Sequence, residues 1–173
     1  MTVPARVLAC FPTLSWALCI VVSAGGARAA SQSNVVYKHL DWEVRAVTWD
    51  DGATACVAEV TYPDEAFSVW ADKGDSIRVQ FYDSGWSFGD DSADVGVQID
   101  SRASWKLHNA NFYKQSILFD LPTNADGKQF LSEVVNGSTL YLSDAKGEGL
   151  KSYSLSGSQA SIAALNDCVA TLK

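Results

Sequence analysis

The chain has 173 residues, and the first 29 read as an export signal, leaving about 144, the size of one ordinary domain. Thirteen basic residues stand against 20 acidic ones, and since Arg6 and Arg28 lie in the signal, the remainder carries 11 against 20, a net charge of -9. Such a surface repels phosphates and anionic headgroups, which excludes nucleic-acid binding as a first reading and favours basic partners or cations. Hydrophobic content of 47% and aromatic content of 11% supply a packed core and exclude global disorder.

The signal is read from Arg6, the uncharged apolar run of residues 7–24, and the small-x-small pattern Ala27-Arg28-Ala29. A retained membrane anchor is the alternative, because that run is near the minimum length for a span. The division expected is a signal peptide at 1–29 and a single β-rich domain at 30–173, periplasmic or secreted, with no membrane span after signal removal. Cys10 and Cys19 leave with the signal, so Cys56 and Cys168 are expected to form one disulfide. Closing that loop of 112 residues is worth ~4–5 kcal/mol on chain-entropy models.

From Leu40 onward the hydrophobic period is two. The pattern predicts strands around Trp42, Val44 and Ala46; around Cys56, Ala58, Val60 and Tyr62; and around Ile77, Val79 and Phe81. It continues through Val95 to Ile99, Ala103 to Leu107, residues 113–119, Leu140 and Leu142, and Tyr153 and Leu155, about eight short strands in all. Asp50-Asp51-Gly52, Lys73-Gly74-Asp75 and Lys146-Gly147-Glu148-Gly149 supply turns. Residues 123–135 read as a short helix. Ser158 to Leu172 reads as a longer one, with Ile162, Leu165, Val169 and Leu172 as its stripe and Ser158 as N-cap. The fold expected is mainly β (α+β): an antiparallel β-sandwich or curved sheet with a C-terminal helix docked on it and one disulfide.

Several motifs invite chemistry. Gly85-Trp86-Ser87-Phe88-Gly89 matches the G-x-S-x-G pattern, but that chemistry needs a helix after Ser87, and His108 is the only histidine downstream. Asp83-Ser84-Gly85 matches the D-[ST]-G core of aspartic proteases, which need a second aspartate sharing a proton; an Asx-type turn is the plainer reading. A small hydrolase using Ser87 or Asp83 is therefore a minor alternative, and no catalytic residue is assigned. Zinc lacks ligands, since His39 and His108 alone fall short of three or four. Asp90, Asp91 and Asp94 cluster in what reads as a Gly/Ser-rich loop without EF-hand spacing, so calcium is a secondary possibility and no metal or cofactor is assigned. Trp70, Tyr82, Trp86, Phe88 and Tyr113 are candidate surface aromatics, suited beside carboxylates to a basic protein partner or a carbohydrate. The candidate binding loop is Trp86, Phe88, Asp90, Asp91 and Asp94. Asn136-Gly137-Ser138 is a glycosylation sequon that reads more simply as a turn.

The ending Tyr153-Ser154-Leu155-Ser156-Gly157, followed by Ala160, Ala164, Leu165 and Cys168, together with Trp42-Glu43-Val44 and Cys56-Val57-Ala58, resembles the invasion-associated locus B family of exported proteobacterial proteins. The resemblance covers the two ends of the domain, with Ser158 where a bulky residue is expected. It implies a periplasmic or secreted β-rich domain linked to envelope function and host-cell invasion, with no catalytic residues to transfer. The function expected is a non-enzymatic binding or accessory protein whose partner is an envelope or host protein of basic character. An inhibitor of a basic secreted or periplasmic hydrolase is the alternative.

Overall fold

The structure, a computed structural model, describes residues 30–172. The expected signal, with Cys10 and Cys19, lies outside the described residues. Ten strands and two helices follow in the order β1 (Ala30–His39), β2 (Trp42–Trp49), β3 (Thr54–Thr61), β4 (Glu65–Ala71), β5 (Ile77–Asp83), β6 (Phe88–Ile99), β7 (Trp105–Lys114), β8 (Ser116–Leu121), α1 (Ala125–Val135), β9 (Thr139–Ser143), β10 (Gly149–Ser154) and α2 (Ser158–Thr171). All strands join one antiparallel sheet in the order β1-β2-β3-β4-β5-β8-β7-β6-β9-β10.

The sheet curls until its two ends meet. The Trp42 indole donates to the Ser154 carbonyl at 3.0 Å, the Ser154 amide to the Tyr62 hydroxyl at 2.9 Å, and the Ser154 hydroxyl to the Asp41 carboxylate at 2.6 Å. The concave face thus becomes one core. Trp42, Phe67, Phe81 and Tyr153 fill its centre, with Phe67 and Phe81 stacked at 5.2 Å and Trp42 edge-on to Phe67 at 5.8 Å. The curl comes with a corner at β7 and β8, which pair only through Asn111–Leu118, Phe112–Ile117 and Tyr113–Ser116 before they diverge. Helix α1 covers the gap: Phe130 meets Trp105 edge-on at 5.7 Å, and the Trp105 indole donates to Glu133 at 2.9 Å.

Helix α2 lies against β1, β2 and β3 on the core side, stapled there by the Cys56–Cys168 disulfide, with a Cα–Cα distance of 6.2 Å. Gly157 makes its entry possible. It has φ +103°, and a Cβ there would strike the His39 carbonyl oxygen. A Cβ on Gly127 would likewise strike the Pro122 carbonyl, so α1 packs directly on the chain leaving β8.

The curved antiparallel sheet, the docked C-terminal helix and the disulfide agree with the sequence pattern, while several details correct it. There are ten strands rather than eight, because β1 and β4 lack the expected alternation. Residues 113–119 are not one strand but a hairpin, whose turn places Lys114 at φ +53° without glycine or asparagine to announce it. Ser158 is not the N-cap. Gly157 holds that position with no side-chain cap, and the Ser158 hydroxyl donates instead to the Val134 carbonyl of α1 at 2.9 Å.

Candidate functional site

The segment expected to be a binding loop is mostly strand. Residues 88–94 form the first half of β6 and pair with β7, with bulges between Phe88 and Asp90 and between Ala93 and Val95. Aspartate is disfavoured in strands, which is why the sequence reads there as a loop. Strand β9 pairs only with Gly96 to Ile99, so residues 88–94 have, among the described residues, a ladder partner on one side alone. Their other edge is open.

The five named residues divide into three roles. Trp86 and Phe88 are half-buried, 5.4 Å apart, and Phe88 meets Phe112 edge-on at 4.9 Å, so they anchor the ribbon to the core instead of projecting from it. Asp94 is tied at the ribbon's base by the Asn109 amide at 3.1 Å, Lys106 at 3.1 Å and His108 at 3.2 Å. The amide first, then the lysine, hold its carboxyl below the usual range. Asp90 and Asp91 are exposed; Asp91 accepts the Ser92 amide at 2.7 Å, and Asp90 has no side-chain partner among the described residues. Opposite Asp90 stands Tyr113, 40% exposed, with the Lys114 ammonium 5.0 Å from its ring centre.

Asp83 and Ser87 sit in different surroundings from those a hydrolase would need. Asp83 is buried, accepts the Gly85 amide at 2.6 Å in an Asx turn, and pairs with Lys151, which also meets Glu65 at 2.7 Å. Lys151 is the larger cause holding the Asp83 carboxyl low, and Asp83 in turn raises the ammonium's pKa. The cluster fastens β10 to β4 and β5. Ser87 is exposed, is followed by β6 rather than a helix, and bonds no histidine among the described residues.

Two clefts flank the Pro122–Gly127 contact. One of about 470 Å³ has Ile77, Leu121, Leu131 and Val169 in its walls and Asp75 and Lys128 among its polar lining; the other, about 250 Å³, runs between Trp105, Phe119 and Phe130. Among the described residues, no group of three His, Cys, Asp or Glu side chains is placed to share a metal ion, and no helix is long and apolar enough to cross a membrane.

The convex face of the sheet, opposite both helices, carries a second arrangement. One row across the strands reads Val35, Arg45, Val57, Trp70, Arg78, Asp120, and the next reads Lys38, Glu43, Glu59, Ser68, Gln80, Leu118. Val47, Ala55 and Val57 are buried on this side, apart from the main core. Trp49 and Trp70 lie beside them, both partly exposed, with ring centres 6.1 Å apart and planes inclined by 31°. The sequence pattern singled out Trp70, Tyr82 and Tyr113 but missed Trp49, which falls on the face opposite Trp42, in line with Glu43, Arg45 and Val47. No family model, curated protein or solved structure matches the chain.

Proposed function

We propose that this is an exported, non-enzymatic binding protein, periplasmic or secreted, that takes a basic, extended segment of an envelope or host protein along the open edge of β6. The observation that carries the reading is the coincidence of an unpaired strand edge at residues 88–94 with two exposed carboxylates, Asp90 and Asp91. An added strand would draw main-chain hydrogen bonds from the edge and charge complementarity from the aspartates. Trp86 and Phe88 keep the ribbon in place beneath it, so the edge is presented already ordered. Export is supported by the disulfide, which suits an oxidising compartment, and by the signal-like residues at 1–29. The resemblance to the invasion-associated locus B family points to the same setting.

Capture from the envelope fraction of the source, or from host extract, tests the reading. The chain from Ala30 should retain a protein whose binding weakens with salt and is lost in the double variant Asp90→Lys/Asp91→Lys. Equal retention by that variant, with its fold intact, would remove the β6 edge from the account.

A further inference from the structure

The convex face has a chemistry of its own, and we infer that it is a binding site for a neutral glycan, seated on Trp49 and Trp70. The first ground is the posture of the indoles. The Trp70 ring nitrogen donates to Gln80 Oε1 at 2.8 Å, and Gln80 lies on the adjacent strand, one row along from the residue directly opposite Trp70. That bond fixes the indole against the neighbouring strand while Trp70 stays partly exposed. Trp49 extends it into an inclined strip. A flat apolar surface with polar groups at its margin is the complement of a sugar ring, which presents C–H groups on its faces and hydroxyls around its rim.

The second ground is charge. The two rows carry Lys38, Arg45 and Arg78 against Glu43, Glu59 and Asp120, three of each sign, in a chain of net charge -7. Each is already engaged: Lys38 with Glu43 at 3.6 Å, Arg45 with Glu43 at 2.7 Å and Glu59 at 3.1 Å, and Arg78 with Asp120 at 2.6 and 3.0 Å. Within these two rows a basic or acidic ligand would find no unmatched charge, and the Asp72 carboxylate near Arg78 is engaged by the Gly74 amide at 2.8 Å. A ligand that offers both donors and acceptors without charge can use the free lone pairs and N–H groups of these pairs.

The third ground is a polar cleft of about 260 Å³ beside the strip, lined by Arg78, Asp120, Asn109 and Asn111. Arg78 is the direct cross-strand neighbour of Trp70, so cleft and strip are contiguous. Gln80 also donates to the Ser116 hydroxyl at 2.8 Å, which fixes the amide that holds Trp70. Strip, fixed amide and cleft form one ordered surface that needs little rearrangement on binding.

Electrophoresis in native gels containing dextran, laminarin or hydroxyethylcellulose, with dextran sulfate and chitosan as charged counterparts, tests the inference on the mature chain. Retardation by at least one neutral polymer is expected, unchanged by salt and weakened about tenfold or more in Trp70→Ala and Trp49→Ala. The milder Trp49→Phe/Trp70→Phe variant guards against misfolding. It should keep the parent's melting curve and lose the tryptophan fluorescence change that the neutral polymer produces. Asp90→Lys/Asp91→Lys should be retarded like the parent, which separates this site from the β6 edge. Retardation by the charged polymers alone, undiminished retardation of the tryptophan variants, or no retardation by any neutral polymer would overturn it.

Discussion

The β6 ribbon and the convex face belong to one continuous sheet surface, yet they treat charge in opposite ways. Across the convex face, each cation has a carboxylate beside it, as with Arg45 between Glu43 and Glu59 and Arg78 against Asp120. At the ribbon, Asp90 and Asp91 stand side by side with no cation bound to either among the described residues. Backbone differs as well. The two tryptophans of the convex face stand on β2 and β4, strands paired on both sides, whereas residues 88–94 have a bare edge. A matched, fully laddered face selects by shape and hydrogen bonding; a bare acidic edge selects by charge and main-chain pairing.

Removing the disulfide with Cys56→Ala/Cys168→Ala should have the largest effect, a loss of ~4–5 kcal/mol of stability, measured by denaturant unfolding. Because Cys56 lies in β3, amide exchange should accelerate first in β2 and β3, beneath the convex face, and later in the ribbon. Charge reversal at Asp90 and Asp91 comes next: partner affinity should fall on the order of 100-fold, with melting unchanged. Lys151→Met should cost about 2 kcal/mol, since it leaves the buried Asp83 without its cation and frees β10 from β4 and β5.

Acid should act on the two regions with opposite sign. Asp94 at the ribbon's base has a folded pKa below its unfolded value, so its contribution is complete above roughly pH 4 and is lost as pH falls further. Glu59 on the convex face has a folded pKa raised, chiefly by burial, so its carboxylate costs stability at neutral pH and that cost is relieved as pH falls through the folded value. Unfolding midpoints measured against pH should therefore fall less steeply below roughly pH 4 in Asp94→Asn, and Glu59→Gln should lose the gain that the parent shows on mild acidification. These are the smallest of the expected shifts.

The elements legible in the sequence were those with one buried face. Strands β2 and β5 alternate plainly, and the disulfide followed from the two cysteines that lie beyond the signal-like residues 1–29. Strand β4 hid because both its faces carry apolar residues: Phe67 and Val69 in the core, Ala66 and Trp70 on the convex side. Strand β1 hid for the converse reason, being exposed from Gln32 to His39. The acidic half of β6 has no alternation because its ribbon projects from the core. The convex site was out of reach, since Trp49, Trp70, Arg78 and Asn109 come from four strands and meet only through their register. Asp90 and Asp91 were found by composition; that they line an open strand edge depends on where β9 stops pairing.

The most direct test of the central claim is affinity capture with the chain from Ala30 beside its Asp90→Lys/Asp91→Lys variant. One basic protein should be retained in stoichiometric amount by the parent, released by salt and absent from the variant. A partner held equally by both, or one that salt does not release, would contradict it.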